Sequence, residues 1–309
     1  MRQEIFHRRV RGDPGPWTED SVLAAHRFTN PYRAADRVSQ YLIKNVAYRG
    51  DQTSDEVVFR VLLFKLFNRI STWELLEKSL GPLMAWDFDV DQYDGVLSSA
   101  FDRGERLYSA AYIMPAASRS AVRKHRTHLE LLQIMLDAEL PKSLASADSM
   151  REAFALLLGF RGIGQFLAYQ LATDINYSCV LDHSEMEFVK AGPGARSGIR
   201  KCFEDTSGYS DEDIIRFVAE RQQDEFAVRG LAFEDLWGRP LQLIDCQNLF
   251  CEVDKYARVV HPNAKGIGDR TRIKQRFRPL TDPIEIWFPP KWEINDRLPT
   301  SQSVRLSYQ

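Results

Sequence analysis

The sequence predicts an all-α fold, and three observations carry that reading. Residues 55–70 are apolar nearly all round (Val57, Val58, Phe59, Val61, Leu62, Leu63, Phe64, Leu66, Phe67, Ile70), as a helix in the middle of a core must be. Helix-start signals recur ahead of apolar stretches: Asn30-Pro31, and the capping pairs Ser71 with Glu74, Ser149 with Glu152 and Ser210 with Asp213. Polar residues also fall in rows at intervals of three and four, the spacing of one helix face.

In chain order, a helix is expected from Asn30 to about Tyr48, then the core helix 55–70. A short helix follows, opened by Ser71 and stopped near Gly81-Pro82. Further helices are expected at about 90–103, 106–114 and 125–138. Ser149 opens a helix that runs to Leu158, and another leaves from Gln165 to Ala172. Ser210 starts a helix to about Phe226, and a long last one covers about 241–258. The tail after Pro279, rich in proline and tryptophan (Trp287, Pro289, Pro290, Trp292), is expected to pack irregularly and to fray after about Asn295. The organisation expected is an N-terminal extension over 1–24, a helical body over 25–278 with two lobes around a cleft, and a tail over 279–309.

Composition excludes several classes. The chain has 309 residues, 44% hydrophobic and 27% charged, with a net charge of −2. It reads as an ordinary soluble globular protein. No apolar run reaches the length of a membrane span, and the start (Arg2, Glu4, His7, Arg8, Arg9, Arg11) lacks a signal-peptide core, so a cytoplasmic location with no membrane partner is expected. The four cysteines (Cys179, Cys202, Cys246, Cys251) lack metal-ligand spacing and are expected to be reduced and buried. No metal and no cofactor is expected. The phosphate-binding pattern G-x-x-x-x-G-K-[ST] is absent, which removes the commonest way to be a kinase.

Two polar rows and two glycine-bearing turns carry the chemistry. Arg33, Asp36, Arg37, Gln40 and Lys44 share one face of the first expected helix. On the last helix Asp245, Asn248, Glu252 and Lys255 form a narrow row between the apolar walls Ile244/Cys251 and Leu249/Tyr256, backed by a core face of Leu243, Cys246, Phe250, Val253 and Ala257. Such a row suits the lining of a cleft, or alternatively a buried ion-pair network. Gly162 and Gly164 in the turn Phe160-Arg161-Gly162-Ile163-Gly164 stand where a helix begins, so unpaired N–H groups and the positive dipole end face outward, an arrangement that binds phosphate, the alternative being an ordinary helix-helix corner. Residues 191–198 (Ala-Gly-Pro-Gly-Ala-Arg-Ser-Gly) form a second permissive loop, following Asp182, Glu185 and Glu187 as candidate acids or bases. Between Lys255 and Arg278 eight cations (Lys255, Arg258, Lys265, Arg270, Arg272, Lys274, Arg276, Arg278) face one acid, Asp269, enough for a patch that meets a phosphate backbone.

The turn at 160–164 resembles the hairpin of helix-hairpin-helix DNA-binding proteins. Taken with Arg27–Tyr41, the segment 174–178 (Asp-Ile-Asn-Tyr-Ser), Ala191–Ala195 and Ile244–Arg258, the chain is similar to the helical domain of the 5-hydroxymethyluracil DNA kinases. That family is related to the glutamyl/putrescinyl-thymine pyrophosphorylases of DNA hypermodification. The resemblance spans about 25–278 and implies a helix-hairpin-helix, DNA glycosylase-like fold, with the hairpin over about 150–173. It implies double-stranded DNA carrying modified thymine as partner, the base turned out into a pocket, and a separate nucleotide or DNA kinase as a further partner. On this reading Gly162, Gly164, Arg33, Arg37, Arg196 and Arg258 contact the backbone. Asn30, Gln40, Asn176, Tyr177, Glu187, Gln247 and Asn248 line the base pocket. Asp36, Asp245, Glu252 and Lys255 act on the base, by transfer at the exocyclic carbon of an activated 5-hydroxymethyluracil. The alternatives are a noncatalytic recognition module and a glycosylase that excises the modified base. A lysine expected of lyase members has no counterpart in the hairpin, where Gln165 and Phe166 stand.

Overall fold

The computed structural model describes residues 1–109, 123–268, 270–277 and 285–299. Among them the regular structure is helical: α1 (Arg2–Val10), α2 (Ser21–Ala25), α3 (Arg37–Tyr41), α4 (Ser54–Phe67), α5 (Ile70–Leu80), α6 (Val90–Asp102), α7 (Lys124–Asp137), α8 (Leu140–Ala145), α9 (Met150–Leu158), α10 (Gln165–Asn176), α11 (Pro193–Cys202), α12 (Asp211–Val228) and α13 (Leu243–Val260). Extended pairing is limited to isolated bridges, at His26–Arg276 and Leu236–Arg239. The all-α expectation holds. The chain divides into two compact units, one of Met1–Gln40 with Glu185–Gln309, the other of Tyr41–Ser184.

The unit Tyr41–Ser184 is built around α4, whose Val57, Val58, Phe59, Val61 and Leu63 are fully buried. Glu56, Arg60 and Lys65 are buried with it. Lys65 Nζ lies 3.1 Å from Asp174 of α10 and donates to Asn68 Oδ1 at 2.9 Å. Arg60 donates to the carbonyls of Val46 (2.9 Å) and Asp51 (2.6 Å). Ser149 caps α9 by accepting from Glu152 N, as its sequence predicts.

In the other unit α13 is the central element, packed by α11 and α12. Ser210 and Asp213 form the expected capping box on α12. Gln242 and Asp245 form a second one on α13, which the sequence hid because glutamine is an uncommon cap. The approach of α11 to α13 requires glycine: a Cβ on Gly198 would stand 1.9 Å from Phe250 O, and one on Gly194 2.8 Å from Cys251 Sγ.

Several sequence expectations need correction. No continuous helix runs from Asn30 to Tyr48. Asn30 does not cap; its Nδ2 donates to Ala35 O at 2.8 Å, and a 3-10 turn over Arg33–Ala35 ends at Asp36 in extended conformation (φ −71, ψ 145). The helix then resumes as α3 and widens to a π-helical stretch over Leu42–Ala47. Ser71 does not cap α5: the helix opens at Arg69, so Ser71 already lies within its first turn. Residues 106–109 are not helical, and the rest of the helix expected to 114 lies outside the described residues. The segment 191–198 is no open loop: α11 begins within it at Pro193. Asn295 itself is held, its side chain exchanging two hydrogen bonds with the backbone of the fully buried Phe288 (2.9 and 2.8 Å), while residues 300–309, where fraying is expected, lie outside the described residues. Cys179 and Cys202 are exposed rather than buried.

Candidate nucleic-acid interface and carboxylate cluster

The hairpin comes first because its geometry follows most directly from its sequence. α9 ends at Gly159, and Ile163, 5% exposed, pins the connection to the α9–α10 pair. Ile163 N donates to Phe160 O, closing a tight turn. Gly162 takes φ 92, a left-handed conformation that a Cβ would strain. Gly164 caps α10 with no side-chain acceptor, so the first amides of α10 meet solvent. Arg161, Gly162, Gly164 and Gln165 are all exposed. An outward, uncapped helix start with no acid in its first turn is a site for an anion.

The second cluster is built on α13 and the segment before the 3-10 turn. The two polar rows meet through backbone amides. Thr29 N donates to Glu252 Oε2 at 2.9 Å, and the next amide, Asn30 N, donates to Asp36 Oδ1 at 2.9 Å. One dipeptide is therefore flanked by two carboxylates. Lys255 Nζ lies 2.7 Å from Glu252 Oε2 and 4.5 Å above the Phe28 ring. Burial pushes the Asp36 carboxyl up to about 6; the charge of Glu252 adds to the shift, while Asn30 N, Arg2 and Arg27 oppose it. Among the described residues Asp36 Oδ2 accepts no hydrogen bond, and the buried Asn30 Oδ1 also has no donor.

Asp245 sits deeper, 4% exposed. Its two oxygens accept from Arg33 N (2.7 Å) and Gln242 N (3.0 Å), so it splices the 3-10 turn onto the start of α13. Burial, then the charge of Glu185, raise its carboxyl to about 7. Glu185 is buried too and raised for the same first reason, against the opposing charges of Arg239, Lys291 and Arg33. Arg239 pairs with it at 2.8 Å and stacks over Trp292 at 3.8 Å.

The remaining sequence candidates are dispersed. Arg33 is 2% exposed and lies in the interior, away from any surface phosphate. Arg37 is half-buried at the start of α3. Gln40 is a buried strut, donating to Ala34 O (2.7 Å) and accepting from Trp287 N (2.6 Å). Arg258 pairs with Asp254, which also takes Ser197 Oγ at 2.7 Å and Lys201 at 3.0 Å. Arg196 is exposed near Asp211. Gln247 is fully buried, donating to Cys251 Sγ, and Asn248 is half-buried. Glu187 is exposed. Asn176 and Tyr177 belong to the other unit, where Asn176 clamps His183 by two hydrogen bonds (2.9 and 3.0 Å) and Tyr177 is fully buried.

Sequence reasoning missed Asp254 and Arg239. The spacing of Asp254 to Arg258 was a signal for the first, whereas Arg239 stands in an irregular segment and left none. Val253, assigned to the core face, is 38% exposed, and the buried place beside it is taken by Asp254. Of the basic stretch, Lys265, Arg270, Arg272, Lys274 and Arg276 are exposed around the buried anchor Ile273, while Asp269 and Arg278 lie outside the described residues.

No described helix is long and apolar enough to cross a membrane. No described group of three or more His, Cys, Asp or Glu could hold a metal ion.

Two comparisons bear on this arrangement. The family model for the helical domain of 5-hmdU DNA kinase matches residues 1–266. A 5-hmdU DNA kinase of Bacillus phage SP10 is 28% identical over 280 residues, covering 82% of this chain and 43% of that protein. The chain thus spans less than half the length of that relative. No solved structure gives a significant match.

Proposed function

The chain belongs to the 5-hmdU DNA kinase helical domain family, and from that premise we propose that it is the DNA-engaging part of a thymine-hypermodification system. The α9–α10 turn holds a backbone phosphate through the first amides of α10. The exposed cations over 265–276 add sequence-independent attraction for the duplex. The Asp36–Glu252–Lys255 cluster receives the hydroxymethyl group of the modified base, turned out of the stack. Asp36 is the acceptor for the proton of the nucleophile that attacks the exocyclic carbon of the activated base, and Lys255 balances the charge on the departing pyrophosphate.

The observation that carries this reading is the Asp36 carboxylate. One oxygen is fixed by Asn30 N, the other is uncommitted among the described residues, and burial holds it near 6, where a base works at neutral pH. The test is Asp36→Asn in the whole chain acting on 5-hydroxymethyluracil DNA that a separate kinase has activated. Turnover is expected to fall about 100-fold or more, as loss of a general base does, with duplex affinity within about twofold. Unchanged turnover would refute the assignment.

The noncatalytic module is the second reading, favoured by how much of the cluster is tied into structure: Asp245 and Glu252 both serve backbone amides. Its signature is Asp36→Asn and Glu252→Gln variants that bind DNA and support full turnover.

A further inference from the structure

The basic stretch that follows α13 is tied to its own unit at three points. At its start Ile267 N donates to Ser197 Oγ at 3.2 Å, and Ser197 Oγ in turn donates to Asp254 Oδ1 at 2.7 Å. Gly266 fits against that contact because it lacks a side chain: a Cβ would stand 2.3 Å from Ser197 Oγ and 2.9 Å from Lys201 Cε. In the middle Ile273 is buried. At its end the stretch pairs with the segment that leads into the Asp36 cluster. Arg27 N donates to Gln275 O and Phe277 N to Ala25 O, both at 3.1 Å, which makes the His26–Arg276 bridge.

Along this anchored course Lys265, Arg270, Arg272, Lys274 and Arg276 all stand exposed. Among the described residues none of their side chains makes an ion pair or a hydrogen bond. Exposed cations elsewhere in the unit behave differently: Arg11 pairs with Glu234, Arg200 with Asp211 and Arg229 with Glu225. Five like charges left unpaired repel one another, and the anchors hold them together against that repulsion. A fixed row of free cations suits a partner with negative charges at regular intervals, which is the backbone of a nucleic acid.

Chain length alone places one end of the row near the Asp36 cluster. Thr29, whose amide holds Glu252, follows His26 by three residues, and His26 is bridged to Arg276. Extended chain and bridge geometry together keep the Arg276 Cα within roughly 16 Å of Thr29, so its long side chain reaches the phosphates beside a base held there. We infer that these five cations form a preformed rail for the strand that carries the modified base, Lys274 and Arg276 holding the phosphates that flank the base and Lys265, Arg270 and Arg272 those farther along. Ser197, Gly266 and Ile273 act through the rail as positioning residues. The inference rests on the Asp36 cluster as the base site and adds which strand the cations serve and what fixes them.

Binding of 5-hydroxymethyluracil duplexes to the whole chain, followed against salt, tests it. Glutamine at all five positions is expected to flatten the slope of log K against log salt by about 4, since each neutralised phosphate contributes about 0.9. An unchanged slope overturns the rail. The double variant Gly266→Ala/Ile273→Ser keeps every charge and removes two anchors. Hydrogen exchange at the Ile267 and Phe277 amides is expected to speed up, and duplex affinity to fall about fivefold or more, because the row is no longer preorganised. Unchanged exchange means that the anchors do not fix the row, and undiminished affinity means that a loose basic segment suffices; either overturns the inference. Placement is read with duplexes whose phosphates within about two nucleotides of the modified base are neutral methylphosphonates. Wild type is expected to bind these several-fold more weakly than the all-phosphate duplex, and the Lys274→Gln/Arg276→Gln variant to show no such loss. No loss with wild type, or an equal loss in both proteins, overturns it. Asp36→Asn alters none of the five cations and is expected to keep the salt slope, so a failed rail and a failed base site are told apart.

Discussion

In the unit around α4 the buried ammonium of Lys65 faces the buried carboxylate of Asp174 at 3.1 Å, whereas in the unit around α13 the buried carboxylate of Asp245 accepts backbone amides and is pushed up to about 7, partly by a second acid, Glu185. The first arrangement is charge against charge and supports the fold at any ordinary pH. The second keeps carboxyls near their titration point. Asp36, raised to about 6, belongs to the same pattern. Protonation near neutrality is what acid-base chemistry uses, which is why the proposed acid-base group lies in the α13 unit.

The comparison can be broken most severely at Lys65. Lys65→Met removes the ammonium that faces the buried Asp174, and a loss of about 3–5 kcal/mol in denaturant unfolding is expected. A loss under about 1 kcal/mol would mean that the pair does not carry this unit. In the α13 unit the comparable lesion is steric. Gly198→Ala drives a methyl into Phe250 O, and about 3 kcal/mol is expected from forcing α11 off α13.

The carboxylates are distinguished by pH. A carboxyl raised above its unfolded value binds its proton more tightly when folded. Its stabilising contribution is therefore complete in acid and is lost as pH rises through its folded value. For Asp245, at about 7 against an ordinary 3.8, the loss between roughly pH 5 and pH 8 is about 2–3 kcal/mol. Asp245→Asn removes that slope, so wild type and variant converge in stability, or cross, as pH rises. Parallel pH profiles for the two proteins would contradict the assignment.

How much of this was legible beforehand differs between the two units in a physical way. α4, α9, the 159–164 turn and α10 read directly from the sequence, because apolar periodicity, a serine cap and paired glycines are local signals. The segment 28–36 did not. Its course is set by Glu252 and Asp245, more than 200 residues away in the chain, whose side chains hold the amides of Thr29 and Arg33 against the local helix preference. The glycines of α11 read as a ligand loop because close helix packing and ligand approach both demand a missing Cβ. The rows on either side of the Asp36 cluster were visible as spacing, but the amides that bring them together were not.

DNA engagement depends on the hairpin as a phosphate clamp, and Gly164→Asp tests it with the least structural disturbance. The backbone there (φ −85, ψ 169) suits any residue, a Cβ meets nothing within 4 Å, and aspartate is a good N-cap for α10. The substitution places a negative charge where the phosphate would sit. Duplex affinity, followed by fluorescence anisotropy against salt, is expected to fall about tenfold or more, with a shallower salt slope, while thermal stability holds or rises. Undiminished affinity in a stably folded Gly164→Asp protein would contradict the claim that this turn holds DNA.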